Sequence, residues 1–121
     1  MVSALFDSNI LIDLMRGHDQ ARIEFDSYDE RAISVVTWIE VLVGVEPDKE
    51  TPTRDFLSHF RLLQLTDVIS ERAILIRRER RIKLPDAIIW ASAQTGGLLL
   101  VTRNEKDFPA DDPGVRVPYR M

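Results

Sequence analysis

The sequence contains no cysteine, which excludes a disulfide framework, a thiol nucleophile and a Cys-ligated zinc site. Histidine is scarce: His18 and His59 are the two present, and both lie outside the acidic motifs described below, as surface or partly buried residues. No run approaches the roughly 20 apolar residues of a membrane span. The amino-terminal segment has no basic leader and reaches Asp7 before any long apolar stretch, so a cytoplasmic protein is expected. Positive charge is in deficit, with 16 Lys plus Arg against 20 Asp plus Glu and a net charge of −4. That balance does not by itself point to nucleic acid. Repeats and Gly/Ser- or Pro-rich linkers are also missing, so residues 1–121 are expected to form one domain. What remains is a soluble globular composition, 45% apolar and 30% charged, in a chain able to bury about two-thirds of its unfolded surface. It is too short for a two-domain enzyme with a separate cofactor domain.

Apolar runs at residues 2–6, 32–35, 62–65 and 98–101 read as strands, with 115–117 as a fifth. Helical spacing follows or separates them: Ile10, Leu11 and Leu14; then Phe56, Leu57, Phe60 and Leu63; then Ile88, Ile89, Ala91, Ser92 and Ala93. Gly96-Gly97 should end the last of these helices, because glycine tolerates the left-handed terminal position. Residues 46–52 and 108–114 read as a polar loop and a turn-rich connector. Strands and helices in alternation predict an α/β fold: a mostly parallel central sheet of four to five strands, with helices on both faces. Ligands bind such sheets outside the carboxyl ends of the strands, so the residues there carry the functional question.

Asp7 directly follows the first strand. It is either a carboxylate aimed into that crevice or an acid complementing a helix dipole. Glu40 can close a capping box with Thr37, reaching back to a free backbone N–H. Its neighbours Trp38, Ile39, Val41, Leu42 and Val43 also predict a largely buried segment, in which a carboxylate must be paired, protonated or metal-bound. Asp86 follows Pro85, which suits the first helical position, and begins an almost wholly apolar helix. Asn104 and Asp107 follow the fourth strand, where Asx side chains also serve ordinary turns. These residues are far apart in sequence, so only the fold could gather them. Several carboxylates brought together without a cation would have raised pKa values. An oxygen-only donor set selects a hard cation, Mg²⁺ or Mn²⁺.

Two other α/β families begin with an Asp after the first strand. A haloacid-dehalogenase-like phosphatase needs a second Asp where this chain has Asn9, and a receiver domain needs a middle acceptor Asp that is missing beside the late Lys106. The chain instead resembles the PIN-domain ribonucleases, and within them the VapC-like toxins of type II toxin–antitoxin systems. The matching segments are Leu5-Phe6-Asp7-Ser8-Asn9, Thr37-Trp38-Ile39-Glu40-Val41, Leu84-Pro85-Asp86-Ala87-Ile88-Ile89, and Leu100-Val101-Thr102-Arg103-Asn104 through Asp107-Phe108. Their order and spacing cover nearly the whole chain.

The resemblance implies a three-layer PIN-like fold and hydrolysis of RNA phosphodiester bonds by water activated with Mg²⁺ or Mn²⁺. It makes Asp7 and Asp86 metal ligands, with Glu40 orienting water or completing a second ion site. The fourth position falls to Asn104 or to Asp107 as a nearby substitute, and Ser8 and Thr102 match hydroxyl positions beside the site. It further implies a homodimer and a VapB-like antitoxin whose carboxyl-terminal segment covers the active-site groove. The apolar surface around Phe56, Leu57, Phe60 and Leu63, or parts of residues 8–25, could serve either interface. RNA could be gripped by residues 71–84, which carry six basic and two acidic side chains. On a helix Arg77, Arg80 and Arg81 would share one face, and that helix leads towards Asp86. The competing assignment is a catalytically weak PIN-like module acting mainly through protein or RNA binding, an idea supported by Asn104.

Overall fold

The computed structural model describes residues 2–121. Five strands, β1 (Ser3–Phe6), β2 (Glu30–Ser34), β3 (Arg61–Leu63), β4 (Leu99–Val101) and β5 (Val115–Arg116), form one sheet in the order β3-β2-β1-β4-β5. Every neighbouring pair is parallel. Six α-helices accompany it: α1 (Ser8–Met15), α2 (Asp19–Asp26), α3 (Val35–Val43), α4 (Glu50–Leu57), α5 (Asp67–Arg80) and α6 (Leu84–Gly96). None is long and apolar enough to cross a membrane.

The apolar runs of β1, β2 and β4 are continuous because both faces of the sheet are covered there. Leu5, Ala32 and Leu100 pack with Ile69, Ala73 and Ile76 of α5 and with Ala87, Trp90 and Ala91 of α6. On the other face Ala4, Phe6, Ile33 and Val101 pack with residues of α1 to α4, among them Ile10, Ala21, Val41 and Leu57. Three layers result. Phe6 is fully buried, with Phe25, Tyr28 and Phe60 at ring-centroid distances of 6.1, 5.7 and 6.0 Å. Burying an aromatic side chain of this size is worth about 2–3 kcal/mol.

Several boundaries differ from the sequence expectations, each for a local reason. Helix α4 stops at Leu57, so Phe60 lies in a turn, its N–H bonded to the Leu57 carbonyl, and Leu63 belongs to β3. The apparent helical spacing of these residues joins two elements. Residues 46–52 are less irregular than expected: a 3₁₀ turn at Pro47–Lys49 leads into α4, whose first turn accommodates Pro52 because no N–H is needed there. Helix α2 had no apolar stripe to announce it; only Ala21 and Glu24 are buried. Pro85 occupies the second rather than the first helical position of α6.

The capping box at Thr37 does not form. Ser34 caps α3 one turn earlier, its hydroxyl accepting the Val36 N–H at 3.1 Å, so Thr37 and Glu40 both sit inside the helix. Likewise α5 ends at Arg80, and Arg81 turns the chain in the left-handed region at φ 56°. Arg81 therefore does not extend the helical face of Arg77 and Arg80.

Candidate active site at the carboxyl ends of the strands

Strand order reverses beside β1: the chain moves outward through β2 and β3, then returns to add β4 and β5 on the other side. Such a switch point opens a crevice at the carboxyl ends of the two strands that flank it. Asp7 follows β1 and Thr102 follows β4, and the Asp7 N–H bonds the Val101 carbonyl at 2.9 Å. Asp7 is also the N-cap of α1, as its reading as a helix-end acid expects. Its Oδ1 accepts the Ser8 N–H at 2.8 Å, and its Oδ2 accepts the Thr102 hydroxyl at 2.8 Å and the Asn9 amide at 3.2 Å. Asp7 is only 4% exposed. Burial pushes its carboxyl above the ordinary Asp value, partly opposed by the bonds from Thr102, Ser8 and Asn9.

Glu40 of α3 feels the Asp7 charge, and Asp86, in the first turn of α6, feels those of Asp7, Glu40 and Asp107, the last from the loop after β4. Glu40 is an exposed residue, contrary to the burial expected of it. Thr37 and Val41 form the buried stripe of α3, leaving Glu40 at the rim. Its carboxyl is nonetheless raised, first by burial of that group and then by the Asp7 charge, with the Ser8 hydroxyl opposing. Asp86 is half-buried. Burial, the Asp7 charge, a hydrogen bond with Asp107 and the charges of Asp107 and Glu40 together push it up to about 6.

Asn104 has a different position from Asp107. Its amide donates to Asp107 Oδ2 at 3.0 Å, its Oδ1 accepts the Asp107 N–H at 3.3 Å, and its own N–H goes to Thr102 Oγ1 at 2.9 Å. Asp107 thus carries the carboxylate that meets Asp86, and Asn104 holds it. Ser8 and Thr102 both contribute hydrogen bonds within the cluster. The histidines are engaged elsewhere: His18 Nδ1 caps α2 and His59 Nδ1 contacts the Asp55 carbonyl.

Arg77, Arg80 and Arg81 are exposed, and none of them makes an ion pair, with Glu79 or otherwise, among the described residues. The Arg80 guanidinium lies 4.7 Å from the Trp90 ring centroid, which fixes it against α6. Sequence reasoning did not pick out Asn9, Asp13, Arg103 or Tyr119 as working residues. Asp13 offered a signal, since an acid between Leu11 and Leu14 in an apolar helix must find a partner. That partner, Arg103, is 90 residues away.

A family model for the PIN domain matches residues 4–110. Ribonuclease VapC10 of Mycobacterium tuberculosis is 35% identical over 113 residues, an alignment spanning 87% of this chain and 85% of that protein. Among solved structures, a chain of a toxin–antitoxin complex from Klebsiella pneumoniae superposes with a TM-score of 0.92 at 47% identity, covering 98% of this chain and 100% of that one. A chain of the DNA-bound VapBC from Salmonella typhimurium shares the fold, with a TM-score of 0.80 at 22% identity and coverage of 99% and 98%.

Proposed function

As the chain belongs to the PIN-domain family, we propose that it is a metal-dependent endoribonuclease, the toxin of a bacterial toxin–antitoxin pair, acting on RNA in the cytoplasm. One observation carries the proposal: Asp86 feels the charges of Asp7, Asp107 and Glu40, carried by separate elements, and these add to burial in pushing its carboxyl up to about 6. Crowding of this kind is unfavourable unless something positive is bound among the carboxylates.

The donor set suits Mg²⁺ or Mn²⁺. All the candidate ligands are oxygens, and among the described residues no three His, Cys, Asp or Glu side chains form a ready cage. Mg²⁺ tolerates that, because it retains several waters and uses only one or two carboxylates directly. Asp7, Asp86 and Asp107 are the residues that would hold it. When bound, such a cation neutralises charge on a scissile phosphate and makes water a better nucleophile at neutral pH.

The chain's own groups supply the rest. Ser8, Asn9 and Thr102 fix the Asp7 carboxylate by three hydrogen bonds. Asn104 holds Asp107 against Asp86. Glu40, at the open rim, orients the attacking water and accepts its proton. Arg77, Arg80 and Arg81 grip RNA phosphates, offsetting an acidic molecule locally. The alternative of a mainly non-catalytic module rests on Asn104 in place of an acid; in the reading proposed here Asp107 takes that role.

A VapB-like antitoxin would lie in the groove of ≈ 1180 Å³ between α1, α3 and α4, lined by Ile12, Met15, Phe25 and Phe56 and reaching Glu40. A homodimer fits the same assignment. The test is RNA cleavage by purified protein free of antitoxin, with Mg²⁺ or Mn²⁺ and then with chelator. Asp7→Asn and Asp86→Asn should each abolish cleavage with folding intact, and full activity in either variant would refute the assignment.

A further inference from the structure

Resting on that assignment of the acidic site, we propose that Arg103 is its positioning residue. Clamped by Asp13 and Tyr119, Arg103 sets the orientation of Asn9, and through it the Asp7 carboxylate, and anchors the loop that bears Asp107. Asp13 lies one turn beyond Asn9 on the same face of α1 and is 2% exposed. Arg103 binds it with both arms of its fork, Nε to Oδ2 at 2.6 Å and Nη2 to Oδ1 at 3.1 Å. A bidentate pair of this kind fixes direction as well as distance. Tyr119, from the carboxyl-terminal segment, donates its hydroxyl to Asp13 Oδ2 at 2.7 Å and stacks on His18, with ring centroids 4.7 Å apart.

A buried ion pair often adds little net stability, so what it holds in place matters more than what it contributes. The backbone N–H of Arg103 donates to Asn9 Oδ1 at 3.1 Å, so the side-chain fork acts on Asn9 by fixing where this backbone lies. With that oxygen occupied, the Asn9 amide must turn its Nδ2 towards Asp7 Oδ2 and Thr102 Oγ1, at 3.2 and 3.4 Å. A flipped amide would present oxygen to carboxylate. On either side of Arg103, Thr102 bonds Asp7 and Asn104 bonds Asp107. The guanidinium is engaged by Asp13 rather than by the acidic cluster, so Arg103 acts through its neighbours. The clasp connects the end of the chain, at Tyr119, to the reacting carboxylates.

The test measures kcat and KM for Mn²⁺-supported cleavage of a fluorescence-quenched RNA oligonucleotide, together with the Asn9 side-chain amide resonances of ¹⁵N-labelled protein. Both are recorded at a temperature where circular dichroism shows full folding. Asp13→Asn should lower kcat by about ten- to a hundredfold while KM stays within about twofold, and should displace the Asn9 resonances. Arg103→Lys, which keeps the charge and loses the fork, should recover part of kcat, and Tyr119→Phe should fall between it and the unaltered protein. A lower melting temperature with kcat and the Asn9 resonances unchanged would reduce the pair to a structural staple and overturn the proposal. If Asp13→Asn does not fold, Arg103→Lys and Tyr119→Phe decide by the same two readings. If the unaltered protein cleaves no RNA, the nuclease assignment fails by itself. The Asn9 resonances then decide alone, displacement supporting the clasp and constancy overturning it.

Discussion

Asp86 is held above its ordinary ionisation range by burial, by the Asp7 charge and by its bond with Asp107. An acid raised in this way adds native stability that is complete below its unfolded pKa of about 4 and is lost as pH rises through its folded value. Here the window runs from about 4 to about 6. In chelator, Asp86→Asn should therefore gain on the parent protein as pH rises from about 4 to about 6, and above that outlast it by about 1 kcal/mol once solvent screening and the lost helix-dipole interaction are discounted. Thermal melts at pH 4.5 and 7.5, each taken as about the end of the window, measure the difference. A variant that melts below the parent at the higher value would show that Asp86 is a helix-stabilising acid and nothing more. Adding Mn²⁺ should reverse the order, because an ion that binds only the native state stabilises it by mass action. Asp13 answers the opposite way. Burial raises its carboxyl, but the hydrogen bonds from Arg103 and Tyr119 and the Arg103 charge outweigh that and hold it below the usual Asp value. Asp13→Ala would strand Arg103, whose side chain is 28% exposed and can relax into solvent. A loss of about 2–3 kcal/mol is expected in denaturant unfolding, below the full range for breaking a buried pair.

At the scale of the element, α3 explains why a site can be legible while its local structure is misread. Ser34 and Thr37 are both hydroxyl residues one turn apart, and Glu40 stands at capping-box distance from the second. The pattern favoured Thr37, but β2 runs on through Ser34 and the helix starts immediately after it, so the earlier hydroxyl caps the helix. Thr37 is left fully buried with no partner for its Oγ1. Thr37→Val removes that hydroxyl at nearly constant shape and should stabilise the protein by about 1 kcal/mol, read as a raised denaturation midpoint. A lowered midpoint would mean that the hydroxyl is bonded. Arg81 closes α5 in a left-handed conformation that costs most side chains about 1 kcal/mol, and Arg81→Gly should recover much of it. Strand positions were easier to read because a parallel sheet buried on both faces leaves continuous apolar runs. Helix α2, which buries little of itself, left no such trace.

Across the whole molecule, the chain brings together residues that no local pattern could connect. The strand order β3-β2-β1-β4-β5 places the end of β1 beside the end of β4, and Asp7 meets Thr102 across 95 positions. Asp7, Glu40 and Asp86 could be named from the sequence because each opens or interrupts an apolar segment at an expected strand or helix end. Asn104 and Asp107 remained alternatives there, since their mutual hydrogen bonds are made only in the folded loop. Charge has the same layered character. The chain is acidic overall, yet residues 71–84 carry an excess of four positive charges, presented by exposed arginines at the end of α5 that leads to Asp86. If this end grips single-stranded RNA, each phosphate neutralised should contribute about 0.7 to the slope of log K against log salt. Binding measured by fluorescence anisotropy in the non-cleaving Asp7→Asn background should lose about 1.4 of that slope when Arg77 and Arg81 are both replaced by alanine. An unchanged slope would place the phosphate contacts elsewhere and leave α5 as a solvated helix, because the slope counts the counterions released from phosphates that a cation neutralises.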